Sequence, residues 1–120
     1  MGPRPVRARG PRIPESAFQA QFLTYASMNG WRSFHARPAQ NRRGEWGTAV
    51  AGDGKGFPDT VLLRDERIVV AELKAEGGTL RPDQRAWIAA WRLTPAEVYV
   101  WTPEDWSVIF KVLSRVTRRG

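Results

Sequence analysis

The sequence predicts a single α/β domain in which helices flank a mixed β-sheet. Two observations predict this class. Apolar residues follow helical spacing in some segments and strand-like runs in others, and the two most apolar strand candidates carry apolar residues on both faces. The chain has 120 residues, which is long enough to enclose one hydrophobic core without disulfides.

The first elements follow a basic arm. Residues 1–13 contain three Pro and four Arg and are expected to form a flexible arm, so the domain is expected to span 14–120. Helical spacing of apolar residues predicts a helix over 14–29, which Gly30 would end. A short strand is predicted over 31–36.

A long loop and a hairpin come next. Residues 37–57 contain five Gly and few apolar side chains, and a loop of this length is typically functional or mobile. Residues 60–64 and 67–75 read as two strands joined by the Asp65-Glu66 turn. Because both faces of these strands are apolar, we expect helices to bury the sheet on both sides.

The last elements are a helix, a strand and a helix. Pro82 suits the first position of a helix that reaches residue 93, and residues 98–101 are typical of a strand. Thr102 is a candidate N-cap, followed by Pro103 and two acidic residues in the first turn. Leu113 ends the apolar stripe of the final helix.

Charge and composition restrict the function. The formal net charge is +7, and the cations are 16 Arg and 3 Lys, which favours nucleic acid as a partner. A generally basic proteome or a basic tail is the alternative explanation of the charge. There is no Cys, so thiol catalysis and thiolate metal sites are excluded. A metal site must use oxygen ligands or the single His35, which favours Mg²⁺ or Mn²⁺. No apolar run suits a membrane span and no secretory signal is present, so a cytoplasmic protein is expected.

The hairpin register brings charged residues together. If Arg64 and Arg67 flank a two-residue turn, Asp59 lies opposite Glu72, and Lys74 shares their face. Two facing carboxylates repel each other unless a positive charge joins them, and a divalent cation supplies one. The backbone carbonyl of Leu73 is a further candidate ligand. A structural salt bridge among the three side chains explains the same spacing, and the spacing alone does not decide between the two.

The motifs around these residues resemble a known nuclease family. Gly56-Phe57-Pro58-Asp59 and Ala71-Glu72-Leu73-Lys74 are similar to the Pro-Asp…Glu-x-Lys signature of the PD-(D/E)xK nuclease superfamily. The domain also resembles VRR-NUC domains of phage and bacterial origin in three further motifs: a Gly pair at 77–78, Pro-x-Gln at 82–84 and Val-x-Val-Trp at 98–101. The resemblance implies a restriction-endonuclease-like fold.

The resemblance also implies roles for individual residues. Asp59 and Glu72 would be metal ligands, Lys74 would be catalytic, and Gln84 would point toward the site. Gln84 also lies on the sheet-facing stripe of its helix, where a polar side chain needs a partner. Glu15 is the only acidic residue on the first helix and would be a further ligand, or it would only complement the helix dipole.

The DNA contacts are expected on the loops around the site. His35 is a candidate for a DNA or nucleophile-orienting role, although a lone His is more often a packing residue. Phosphate contacts are expected from five basic residues, namely Arg37, Arg42, Arg43, Lys55 and Arg81. The alternative is that these side chains only form a solvated surface.

The expected function is therefore an Mg²⁺- or Mn²⁺-dependent DNA endonuclease. By analogy with the family, it would cut branched DNA such as Holliday junctions in recombination, repair or phage replication, and it would act as a homodimer in a bacterial or phage-infected cell. The alternatives are a less selective DNA nuclease and a basic DNA-binding module whose acidic residues are only structural.

Overall fold

A computed structural model describes residues 12–36, 39–40, 43, 46–47 and 52–115. The predicted order of elements is confirmed, with two short strands added in the loop. Residues 1–11 of the basic arm and most of residues 37–51 lie outside the described residues. The elements, in chain order, are α1 (Glu15–Met28), β1 (Arg32–His35), β2 (Ala39–Gln40), β3 (Trp46–Gly47), β4 (Thr60–Arg64), β5 (Arg67–Leu73), α2 (Pro82–Arg92), β6 (Glu97–Trp101), a 3-10 turn (Pro103–Asp105) and α3 (Trp106–Leu113).

The expected mixed sheet is present. Its four strands lie in the order β1-β4-β5-β6, and β2 pairs with β3 separately. The pairs β1–β4 and β4–β5 are antiparallel, whereas β5 and β6 are parallel. A parallel pair needs a crossover connection, and α2 provides it. The fold is an α/β fold compatible with the restriction-endonuclease-like class.

The predicted register of the central hairpin is confirmed. The β4–β5 pairs run from Arg64 opposite Arg67 to Thr60 opposite Ala71. The turn contains Asp65, whose φ of 54° is the left-handed conformation that Asp tolerates better than most residues. Since no bulge interrupts the ladder, the next two opposed positions are Asp59 and Glu72.

One face of the sheet contacts α1 and α3 and forms the main core. The strands contribute alternate residues of β4, β5 and β6 to it, as the period of two requires. Gly30, with φ of 81°, ends α1 as predicted and lets the chain turn back into β1. The buried cluster consists of Phe18, Phe22, Ala26, Trp31, Leu62, Val69, Ala71, Leu73, Trp101, Ile109 and Leu113.

The other face is only partly covered, so the expectation of a sheet buried on both sides is wrong at one end. Leu63 is 46% exposed, Ile68 39% and Phe34 60%, although Val70 is fully buried. A crossover helix packs over the strands that it joins, and α2 has 11 residues. It therefore covers β5 and β6 and leaves the turn end of β4 and β1 uncovered. None of the described helices is long and apolar enough to cross a bilayer.

Two arginines of the hairpin fix the end of the sheet that lies opposite the site. The guanidinium carbon of Arg64 lies 4.3 Å from the centroid of Trp31, and that of Arg67 lies 4.9 Å from it. Arg64 donates to the carbonyl of Leu113 at 2.9 Å, and Arg67 makes two 2.7 Å bonds to Glu97. These bonds tie the end of α3 and the start of β6 to the hairpin turn.

Candidate active site

Three charged side chains meet where β4 begins and β5 ends. Asp59 immediately precedes β4, Glu72 is the sixth residue of β5, and Lys74 follows β5. The backbone N–H of Lys74 donates to the carbonyl of Trp101 at 2.9 Å, so pairing with β6 continues one residue beyond the strand. The strand register therefore holds all three residues on the face that α2 covers, as predicted.

Backbone donors orient the two carboxylates. The N–H of Leu73 donates to Oδ2 of Asp59 at 3.0 Å, and the N–H of Asp59 donates to Oε1 of Glu72 at 3.3 Å. Each carboxylate thus accepts a hydrogen bond from the strand opposite its own. Groups oriented in this way are prepared to bind a ligand without a further loss of side-chain entropy.

Gln84 joins the cation of the cluster to one of its acids. Its Oε1 accepts from Nζ of Lys74 at 2.9 Å and from the backbone N–H of Arg81 at 2.9 Å. Its Nε2 donates to Oε2 of Glu72 at 3.1 Å. Gln84 is buried, and the predicted need for a polar partner is met by these three bonds. Lys74 Nζ itself lies 3.6 Å from Oε2 of Glu72.

Glu72 carries an unfavourable charge in the protein alone. Its side chain is 2% exposed, and this burial, together with the nearby carboxylate of Asp59, raises the pKa of Glu72 to about 8 from an ordinary 4.5. The positive charge of Lys74 opposes this shift but does not cancel it. At neutral pH the protein alone therefore favours the protonated form of Glu72, and a further positive charge at the site would favour its carboxylate.

The donor set fits a hard divalent cation. Asp59 and Glu72 offer oriented carboxylate oxygens, and a bound cation would supply the missing positive charge. Within the described part of the chain, no group of three or more His, Asp or Glu side chains is placed to hold a metal. A cation held by two carboxylates would complete its coordination with water, substrate oxygens or main-chain carbonyls, which suits Mg²⁺.

The other predicted ligands are less closely tied to the site. Glu15 lies exposed in the first turn of α1, where it accepts a 3.5 Å bond from Gln19, and it does not join Asp59 and Glu72 in a three-acid cluster. Leu73 lies between the functional residues, and its N–H is bonded to Asp59. Ligation by Glu15 and by the Leu73 carbonyl stays a prediction.

His35 lies beside the site. Its Nδ1 is 2.9 Å from the carbonyl oxygen of Asp59, and its ring is half-buried. A carbonyl only accepts, so this bond requires the proton on Nδ1 and leaves Nε2 as the acceptor of the neutral ring. His35 thereby braces the backbone of Asp59. Its predicted contact with DNA is untested.

The structure describes three of the five predicted basic contacts. Lys55 is exposed on the loop that leads to Asp59, and Arg43 is exposed at a turn. Arg81 is exposed at the start of α2, where its guanidinium lies 3.2 Å from the carboxylate of Asp83. Arg37 and Arg42 lie outside the described residues.

A clamp between α2 and the loop before Asp59 was not predicted. The indole N–H of Trp87 donates to the carbonyls of Asp53 at 2.8 Å and Lys55 at 3.1 Å, and the ring of Phe57 meets Trp87 edge-on at 4.9 Å. Gly56 has φ of 86°, and a Cβ there would lie 2.6 Å from the backbone of Asp83. The sequence shows Gly56 and places Trp87 on the sheet-facing stripe of α2. No local pattern indicates that the loop before Asp59 contacts this helix.

Comparison with known protein families gives a match over most of the chain. The family described as "VRR-NUC domain" matches residues 13–103, which is most of the chain and includes every residue of the cluster. No curated protein and no solved structure matches the chain.

Proposed function

Because the chain belongs to the VRR-NUC domain family of the PD-(D/E)xK nuclease superfamily, we propose that it is a metal-dependent endonuclease of DNA. The family makes the chain a nuclease domain, and DNA is the substrate that such a domain implies. The observation that carries the proposal is the cluster of Asp59, Glu72 and Lys74, in which two oriented carboxylates lie beside one buried ammonium group.

Each residue of the cluster has a defined part in the proposed reaction. Asp59 and Glu72 would hold Mg²⁺ or Mn²⁺, with the Leu73 carbonyl and Glu15 as further candidate ligands. When bound, such an ion polarises a phosphoryl oxygen and lowers the pKa of coordinated water. Lys74 would donate a hydrogen bond to the attacking water or to the phosphoryl oxygen on which negative charge grows.

Gln84 would position Lys74 for this role. The ammonium group has three donors, and one of them is already used by Oε1 of Gln84 at 2.9 Å. That bond fixes the direction of the remaining two donors, which are then available to water and substrate. Because the same Gln84 holds Glu72, the cation and the ligand keep a fixed distance while substrate binds.

The preferred substrate and the assembly are finer parts of the proposal. Family analogy supports branched DNA, such as a four-way junction, in recombination, repair or phage replication. One active site cuts one strand, so symmetric cleavage of a junction requires a homodimer with twofold symmetry. Such DNA would be met in the cytoplasm of a bacterial or phage-infected cell.

A cleavage assay tests the proposal. A labelled four-way junction and a linear duplex of matching sequence are incubated with the protein in Mg²⁺, Mn²⁺ or EDTA. We expect cleavage only with the metals, and a preference for the junction. Asp59→Asn removes a charged ligand and should reduce cleavage by at least about 100-fold. Asp65→Asn is the matched control, because that side chain is 83% exposed in the hairpin turn and Asn tolerates its backbone conformation.

The outcomes separate the parts of the claim. Binding without cleavage under every metal condition favours a DNA-binding module and rejects the enzyme. Equal cleavage of junction and duplex removes the structure selectivity and leaves a less selective nuclease. Full activity of Asp59→Asn shows that the metal ligands have been assigned to the wrong residues.

A further inference from the structure

The helix that completes the site carries a row of exposed arginines beside its buried stripe. The α2 arginine row consists of Arg81, Arg85 and Arg92, and all three are exposed. At about 100° per residue, these positions fall within roughly 40° of one another around the helix axis. The row therefore forms one line, which borders the stripe of α2 buried by Gln84 and Ile88.

The positive charge of this row is largely uncompensated. The side chains of Arg85 and Arg92 make no hydrogen bond or ion pair with any described residue. The only acidic residue of α2 is Asp83, which is two positions and thus about 200° from Arg85. Asp83 faces the guanidinium of Arg81, which leaves the other two cations of the row free for an external anion.

The row begins at the active site. The backbone N–H of Arg81 donates to the same Gln84 oxygen that accepts from Lys74, so the start of α2 is part of the site. From there the row extends roughly 16 Å to Arg92, at about 1.5 Å per residue. Arg85 and Arg92 are roughly 10 Å apart, which is the axial span of about three phosphates on one strand of a duplex.

From this arrangement we propose that the α2 arginine row is a docking surface for the DNA backbone that flanks the cleaved bond. This inference rests on the proposed function and adds the path of the substrate. The scissile phosphate lies at Asp59, Glu72 and Lys74, and the same strand continues along α2, where Arg85 and Arg92 each contact a separate phosphate. Guanidinium groups suit this role because they bind phosphate oxygens in bidentate fashion without reading the base sequence.

Salt dependence of DNA binding provides the test. Binding of the full chain to a labelled linear duplex is measured in EDTA over a range of salt concentrations. Each phosphate contact contributes about −0.9 to the slope of log K against log salt. The double variant Arg85→Gln/Arg92→Gln should therefore have a slope that is less steep by about 1.8, and between 50 and 200 mM salt it should lose about 12-fold less affinity than the wild type.

The control is Lys111→Gln, since Lys111 is an exposed cation on α3, which packs on the opposite face of the sheet. It should keep the wild-type slope. A double variant that melts like the wild type and keeps its slope would overturn the inference, as would a wild type that binds no duplex. A slope loss of about 0.9 in Lys111→Gln, half that of the double variant, would reduce the effect to net charge and also overturn the inference.

A parallel cleavage assay distinguishes this inference from the proposed function. If the wild type cuts DNA with Mg²⁺ but the double variant keeps its salt slope, only the docking surface is rejected. If the double variant loses slope but the wild type cuts nothing under any metal, the α2 arginine row stands as a DNA-binding surface, and the nuclease proposal is rejected together with the path from the row to a cleaved bond.

Discussion

Replacing Glu72 with glutamine tests the electrostatic account of the site. Glu72 is buried beside the carboxylate of Asp59, and this environment raises the pKa of Glu72 from 4.5 to about 8. Glutamine has nearly the same shape and carries no charge, so Glu72→Gln imitates the protonated acid at every pH. The bond from Gln84 Nε2 can still reach the side-chain oxygen at this position.

The shift sets the size and the sign of the effect. Between pH 4.5 and 8 the folded protein holds a proton that the unfolded chain releases, so the free energy of unfolding falls as pH rises through this window. The shift of 3.5 units corresponds to at most about 5 kcal/mol. Glu72→Gln removes this loss but gives up the 3.3 Å bond from the N–H of Asp59, which is worth about 1 kcal/mol.

The variant should therefore be slightly less stable than the wild type at pH 5 and more stable by up to about 4 kcal/mol at pH 9, both in EDTA. That difference corresponds to roughly 15 °C in melting temperature. Melting is followed by tryptophan fluorescence, and Glu66→Gln in the exposed turn controls for the loss of a carboxylate. If the wild type and Glu72→Gln show the same dependence of stability on pH, the raised pKa of Glu72 is refuted.

Added Mg²⁺ should offset most of the stability advantage that Glu72→Gln has over the wild type at pH 8. Mg²⁺ that binds only the folded state stabilises it, by about 2.7 kcal/mol at one hundred times its dissociation constant. The wild type should gain this stabilisation at pH 8, and Glu72→Gln should gain little because one charged ligand is absent. A variant that gains as much as the wild type would show that Glu72 does not hold the metal.

Three further predictions follow from the same contacts. Lys74→Met should slow single-turnover cleavage by at least about 100-fold, while Mg²⁺ still raises the melting temperature of the variant. If Mg²⁺ no longer raises the melting temperature, Lys74 is a structural residue instead. Trp87→Phe should lower the free energy of unfolding by about 1 kcal/mol and weaken Mg²⁺ binding, because the loop before Asp59 loses its hydrogen bonds to the indole N–H. An unchanged affinity for Mg²⁺ would show that Trp87 does not position Asp59. Hydrogen bonds from Arg67 lower the pKa of Glu97, so its stabilisation is fully present above pH 4.5 and is lost as pH falls through the lowered pKa. Glu97→Gln should therefore cost about 1–2 kcal/mol of unfolding free energy at pH 7 and progressively less in acid, and a penalty that does not shrink with falling pH would contradict this.

The centre of the site was predictable because it depends on a short, regular hairpin. Two apolar runs separated by a two-residue turn permit one symmetric register, and the period of two then fixes which side chains share a face. That reasoning needs no information from distant parts of the chain. The position of Asp59 opposite Glu72, with Lys74 on the same face, therefore followed from local sequence.

Features that depend on distant contacts were not predictable in this way. The apolar character of Leu63 and Ile68 indicates burial, but the extent of cover depends on where α2 lies, and the strands do not encode that. The bonds from Trp87 to the carbonyls of Asp53 and Lys55 join residues more than 30 positions apart. Backbone carbonyls are present at every residue, so no side-chain pattern marks them as partners.

Gln84 shows how the fold turns a local pattern into a site. Its Oε1 accepts from two donors, the ammonium of Lys74 and the N–H of Arg81, and neither of these can accept a bond in return. The amide therefore has one satisfied orientation, in which Nε2 faces Glu72. Since one of these donors belongs to the backbone at the start of α2, the helix itself sets the direction of the Lys74 ammonium. A displacement of α2 would change the geometry of Lys74 and Glu72 together, so contacts that DNA makes along this helix would act directly on the residues proposed to cut it.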